Sequence, residues 1–393
     1  MDFAQALTAL MDERGISGCE LARRVYCDRS LIYRYRRGKQ APSVKLAHAL
    51  DEALDAGGLL MDLARPSRRT VLAGGLLAGA MAIAPETAER LAWAQRHPPR
   101  IDQAAVNSLA DVLAAQRHAD DLLGSNTVLG PGLAQLTGIE NMVKQARGPV
   151  RPALVSVAAQ WEQFGGWLCR NTADFKGAQG HIANALELAE ELGDRTMIST
   201  ALANKSEIAA YSGAAGSAIG LAQAAQRDPK AATGQRAHAA EFEARGHAMA
   251  GDAAAADRKL GEAADLALTL ADKPQDRRPW SYWMTPEFFN NEAGITCSYL
   301  AADPRWHARA VQLLGTADDE GVWIPAQNFT YLAFAHTRAG AVDQTCAAGV
   351  QAAAAVRQAG SVRMAGVLGQ VHANLQARYP SDPRVRELAE ALA

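Results

Sequence analysis

The chain has 393 residues, 49% of them hydrophobic and only 6% aromatic, with a formal net charge of -2. That length exceeds one small domain and leaves ample material for a buried core. A near-neutral balance excludes a chain that binds nucleic acid through bulk charge, so any basic signal must be local. Alanine and leucine dominate and runs of Val, Ile and Thr are scarce, which predicts an all-α protein. The five cysteines are dispersed, with no CxxC, no Cys/His metal spacing and no HExxH. No metal or cofactor is expected, and the thiols read as reduced in a cytoplasmic protein. The chain opens on a polar amphipathic segment rather than an export signal.

Residues 1–65 are expected to form a DNA-binding domain. Phe3, Leu7, Leu10 and Met11 recur at helical spacing and end at Arg14-Gly15, a helix-stop signal. Ser17 is placed to cap a second short helix, with Glu20 completing a capping box and Leu21, Ala22 and Val25 facing inward. Asp28 is placed to cap a third helix that carries Ile32 and Tyr35 inward and stops at Gly38. Pro42-Ser43 opens a fourth, with Leu46, Leu50 and Leu54 on its inner face. From Arg23 to Lys45 there are eight cations against one acid, a net +7. Two short helices joined by a tight turn, the second one basic, are the helix-turn-helix arrangement.

The stretch Glu20-Leu21-Ala22-Arg23-Arg24-Val25, then Asp28 through Lys39, then Pro42-Ser43, resembles the Xre family of phage-repressor-type regulators. The resemblance implies a five-helix DNA-binding domain whose third helix enters the major groove. Arg29, Ser30, Tyr33 and Arg34 would then meet base edges, where arginine bonds guanine in bidentate fashion. Arg36, Arg37, Lys39 and Lys45 would anchor phosphates, which positions without specifying sequence. Two positions depart from the family: Gly18 stands where a phosphate-touching Gln is common, and Tyr26 replaces the turn glycine. The family also implies a homodimer on a palindromic double-stranded operator.

Residues 66–100 are expected to be a linker. Ser67-Arg68-Arg69-Thr70-Val71-Leu72 looks like a twin-arginine export signal, but it follows a domain instead of opening the chain. The apolar run from Val71 to Ala84 is shorter than the roughly 20 residues a bilayer span needs, so it reads as a buried helix and no membrane partner is expected.

From residue 101 to 393 one pattern recurs, a helix, a small or polar break, then a second helix. Breaks centred on Ala173, Gly213, Gly251, Ala302, Gly340 and Pro380 lie 40, 38, 51, 38 and 40 residues apart. A period near 40 with two helices per unit is an α-solenoid. Gly166, Ser206, Ala244 and Ala333 stand seven residues before a break, and Ala178, Ala218 and Ala256 five after one. Small residues at both places allow paired helices to approach closely, a pattern that resembles tetratricopeptide repeats.

The long step holds an insertion, Lys273 to Pro286, in which Trp280, Tyr282 and Trp283 cluster. It can cap a pocket or close a packing gap between repeats. In the tetratricopeptide register the concave face would carry Gln163, Trp167 and Arg170, then Asn204, Glu207 and Tyr211. Glu241, Arg245 and Met249 follow, then Asn290, Asn291, Tyr331 and Phe334. Amides, charges and aromatics on one face suit an extended peptide, since an amide side chain can satisfy both a peptide N–H and a C=O.

The order of domains resembles the RRNPP peptide receptors and implies a transcriptional regulator whose repeat domain senses a peptide or small-molecule effector. The alternative is an adaptor whose solenoid docks another protein. No nucleophile–base pair, metal spacing or phosphate-binding loop points to an enzyme.

Overall fold

The structure of the protein, a computed structural model, describes residues 3–25, 27, 29–37, 44–64, 85–272, 278–315 and 322–392. All regular structure among them is helical. Lys39, the capping Asp28, the turn residue Tyr26, the Gly38 and Pro42-Ser43 signals, and the twin-arginine and apolar linker segment through Ala84 lie outside the described residues. The chain divides into two compact units near residue 82. Among the described residues no helix is long and apolar enough to cross a membrane.

The first unit holds α1 (Phe3–Glu13), α2 (Gly18–Arg24), α3 (Arg29–Arg36), α4 (Val44–Ala53) and α5 (Leu59–Ala64). Its core joins Leu7 and Met11 of α1, Leu21 of α2, Ile32 and Tyr35 of α3, Leu50 and Leu54, and Leu60 of α5. All but Leu60 are inward positions that the periodicity marked, with Phe3, Leu10 and Leu46 packed at its edge. Gly15 takes a left-handed φ of 61° and turns the chain out of α1, which glycine does without steric cost. The buried Asp51 does what the sequence did not announce. Its carboxylate accepts N–H bonds from Gly58 and Leu60, both at 2.7 Å, and so caps α5 from outside that helix.

The second unit opens with α6 (Pro85–Arg96), which falls in the expected linker but packs on the helices that follow through Leu91 and Ala94. Helical hairpins come next: α7 (Gln103–Leu123) with α8 (Ser125–Gln145), α9 (Arg151–Asn171) with α10 (Phe175–Leu192), and α11 (Arg195–Tyr211) with α12 (Ala215–Ala225). Then come α13 (Thr233–Met249) with α14 (Ala253–Asp272), α15 (Pro286–Ser298) with α16 (Pro304–Leu314), α17 (Trp323–Arg338) with α18 (Val342–Ala359), and α19 (Val362–Arg378) with α20 (Pro383–Leu392). Each helix packs on its partner, and first helices pack on one another from pair to pair. This run of stacked pairs is an α-solenoid.

All six predicted breaks fall in the turns within pairs. The small residues meet there as the spacing required. A Cβ on Gly166 would stand 2.5 Å from Ile182, and Ser206 donates to the Ala218 carbonyl at 2.7 Å. Second helices such as α10 bury one stripe, Ala178, Ile182, Ala185 and Ala189, as an amphipathic outer helix should. First helices of the central pairs bury more faces; α13 encloses Gln235, His238, Glu241, Glu243 and Arg245 beside its alanines.

The run returns on itself. Asn126, after the α7–α8 turn, donates to the carbonyl of Gly360 between α18 and α19. Trp323 Nε1 of α17 donates to the Asp120 carbonyl of α7 at 3.1 Å. The concave face thereby becomes an interior.

Candidate functional site

In the first unit, α3 is held by Ile32 and Tyr35, which are nearly fully buried. Its opposite face presents Arg29, Tyr33, Arg34, Arg36 and Arg37 to solvent. Tyr33 is 55% exposed, unusual for a large ring, and the Arg37 guanidinium lies over it at 5.2 Å. Arg29 and Arg34 are exposed and extend from the same face. Arg36 turns back instead. Its guanidinium lies 3.5 Å from Asp12 and from the Thr8 hydroxyl, both on α1. The expected phosphate anchor is thus engaged within the protein. Ser30 stands on α3 and Lys45 on α4, and neither side chain is among the described atoms.

Helix α2, which packs against α3, is capped by Ser17, whose Oγ accepts from the Glu20 N–H at 3.2 Å. The expected reciprocal half of a capping box is replaced. The Glu20 carboxylate pairs with Arg23 and Arg24, which takes two of the eight local cations out of the unpaired charge.

Residues 2–64 match a helix-turn-helix domain family. The match spans the five helices and the cationic face just described. No curated protein matches the chain significantly. The helix-turn-helix domain is the fold of a DNA-binding regulator, and its exposed face on α3 is the candidate DNA interface.

The predicted concave residues of the second unit are brought together, but as a bonded interior. Gln163 donates to Asn204 at 3.3 Å and accepts from Arg117 at 3.4 Å. Arg170 pairs with Glu207, which also accepts from Asn204. Trp167 donates to the Asp120 carboxylate at 2.7 Å, and the Arg170 guanidinium stacks over its ring at 4.1 Å. Arg245, fully buried, donates to Glu292 at 2.6 Å, to Thr296 at 3.3 Å and to the Tyr211 hydroxyl at 3.5 Å. Thr296 in turn donates to Glu241 at 2.7 Å. Asn291 accepts from Asn328, and Tyr331 is buried against Phe334 and Tyr299. Met249 packs in the cluster around Phe242. Asn290 is exposed and joins none of these contacts.

The electrostatics follow from burial. Loss of solvation pushes the Asp120 carboxyl up to about 6, against its bonds from Ser125 and Trp167. The same cause lifts Glu241 to about 7, opposed by the Arg245 charge and the Thr296 bond. For Glu292 burial also pushes upward, but Arg245 outweighs it and the group stays below its ordinary value. His238 is held below its ordinary value, chiefly by burial, among Phe242, Trp283 and Phe288.

The aromatic insertion packs into the solenoid. Trp280 is buried against Ala159, Ala189 and Met197. Tyr282 donates to the Asp121 carboxylate at 2.6 Å, and Trp283 lies against Trp167, His238 and Phe288. Trp280 thus packs between repeats, while Tyr282 and Trp283 stay partly exposed beside it.

Sequence reasoning missed Glu292, Thr296, Asp120, Trp323 and Arg363. Glu292 was within reach. It stands ten residues before the break at Ala302, as Gln163 and Glu241 do before theirs. Asp120 and Arg363 lie in the first and last pairs, outside the register drawn from the central repeats.

Proposed function

We propose that the protein is a sequence-specific DNA-binding transcriptional regulator of the Xre type, acting as a homodimer on paired half-sites. In this reading Arg29, Ser30, Tyr33 and Arg34 read bases, while Arg37, Lys39 and Lys45 hold phosphates. The observation that carries it is an exposed cationic face on the third helix of a helix-turn-helix domain. An arginine on a groove-facing helix discriminates a guanine by about 1–3 kcal/mol. A second unit built of tetratricopeptide-like pairs would sense an effector and bias the arrangement of two DNA-reading units. An open groove for an extended peptide would need its residues unengaged. Here they bond one another, which favours a small molecule over a peptide.

The test is selection of bound fragments from a genomic library by the full-length chain. A recurring site with two half-sites about one helical turn apart is expected. Equal recovery of all fragments would overturn the reading. Arg34→Ala and Lys39→Ala divide the roles further. The first should relax preference at one base pair at a cost of about 1–3 kcal/mol. The second should weaken all sequences alike and lower the salt slope by about one phosphate contact. Identical behaviour of the two would erase the distinction between base readers and phosphate anchors.

A further inference from the structure

Three guanidinium groups converge on the ring of Tyr211 inside the solenoid. The Cζ atoms of Arg363, Arg170 and Arg245 lie 4.1, 5.6 and 6.0 Å from its centroid. An arginine cannot shed its proton to escape burial, so each cation there needs a counter-charge. Arg170 has Glu207 and Arg245 has Glu292. Arg363 is 6% exposed, and among the described residues no carboxylate stands within ion-pair distance of it. Its Nε and Nη1 are buried without a hydrogen-bond partner, and so is the Nε of Arg170. Buried donors on a charged group are among the most costly to leave unmet.

The surroundings define what would meet them. Tyr211, whose ring Arg363 faces, is only partly buried and shares one cluster with the partly buried Tyr299, Trp323 and Phe334 around Tyr331, so the unmet donors border an aromatic cluster. The place also has leverage. Arg363 lies in the first turn of α19, three residues after Gly360, whose carbonyl Asn126 of the first hairpin bonds.

The geometry points to a binding site for a small organic carboxylate with a planar body, its acid group on Arg363 and its ring among the aromatics around Tyr211. The carboxylate supplies one negative charge and acceptors for the unmet N–H groups, and charge-assisted bonds of this kind are the strong ones. Arg363 and its aromatic surround thus name the effector class for the sensor role proposed above, on which this inference rests. Because the site adjoins the contact between the first hairpin and the turn that leads into α19, occupancy would favour the closed solenoid.

The test uses the full-length chain without DNA, followed by thermal unfolding and calorimetry with phenylacetate and indole-3-acetate. Their amides and inorganic phosphate are the comparison arms. The acids should raise the melting temperature and the amides should not. Arg363→Met should bind the acids at least about tenfold more weakly. Without ligand it should melt no lower than the parent, since the exchange removes an unpaired buried charge. Arg363→Lys keeps the charge without the planar donor set and should retain a weakened response. No response of the parent to either acid would overturn the proposal. So would an undiminished response of Arg363→Met, or phosphate stabilising as well as the acids. The fragment selection without ligand tests DNA reading separately, so failure of one leaves the other standing.

Discussion

Gly18 opens α2, and a Cβ built there meets only Ile32 Cγ2 among the described residues, at an ordinary 3.7 Å. The position therefore accepts a side chain. Xre regulators, which the domain resembles, often carry a phosphate-touching Gln there. Gly18→Gln should stabilise α2 by about 0.5 kcal/mol through helix propensity and tighten DNA binding several-fold. Fluorescence anisotropy on the selected site checks it; unchanged affinity would show that α2 does not approach the backbone there. Glu241 gives a second residue-scale prediction. Burial lifts its carboxyl from 4.5 to about 7 in the folded chain. The folded state thus holds a proton that the unfolded chain has released. Stability from this group is complete below pH 4.5 and is lost as pH rises through 7. Glu241→Gln removes that dependence while keeping an acceptor for Thr296. Urea unfolding should find the variant more stable than the parent by about 1–3 kcal/mol at pH 8, and the gap should shrink at pH 5. An equal gap at both would mean that Glu241 does not titrate in this range. Individual residues were legible where the pattern repeats. Leu7, Leu21, Ile32 and Leu50 announce their burial by periodicity, whereas Asp51 caps α5 through a tertiary contact that no local spacing encodes.

The turn within each pair is the element where this sequence is most explicit. Gly213, Gly251 and Gly340 each take a positive φ, at 78°, 82° and 74°. The equivalent turn between α9 and α10 places Ala173 at φ 64°. A left-handed alanine costs about 1 kcal/mol relative to glycine in that conformation, partly offset by the extra freedom glycine has when unfolded. Ala173→Gly should therefore raise solenoid stability by about 0.5 kcal/mol, and Gly213→Ala should lower it by about 1 kcal/mol. Chemical denaturation of the two variants reads both signs; a loss in each would mean that the turn at Ala173 is held by its methyl group. The period of these turns made six of the seven hairpins readable; the first, turning at Gly124 between α7 and α8, lay outside the period. What each first helix does with its inner face was less so. An amide or a charge in the concave register looks the same in sequence whether it awaits a ligand or bonds the next repeat. Gln163, Asn204 and Arg245 were read as a lining, and the structure joins Gln163 to Asn204 and Arg245 to the unforeseen Glu292 across repeats.

Closure of the solenoid belongs to the whole molecule. It joins Asn126 to Gly360, a contact whose sequence separation is 234 residues. It depends on the small rotation added by every intervening pair, so no single motif announces it. The glycine that permits it can be tested against its own control. Gly124 has φ +80° and a Cβ there would overlap the Ala359 carbonyl oxygen. Gly148 has φ +79° and nothing within 4 Å. Alanine at either position carries the same backbone strain, about 1 kcal/mol. Only at Gly124 must the first hairpin also move off the C-terminal end of α18. Gly148→Ala should therefore cost about 1 kcal/mol and leave local protection unchanged, and Gly124→Ala should cost about 2 kcal/mol or more. Amide exchange locates the difference. In Gly124→Ala the C-terminal turns of α7 and α18 should lose protection together, since they form the two sides of one contact. Helices α1 to α5 belong to the other compact unit and should exchange as before. If the two alanine variants behave alike, the first hairpin and the end of α18 do not hold one another in solution. The interior would then open at that seam without the cost that makes an effector beside Arg363 able to govern it.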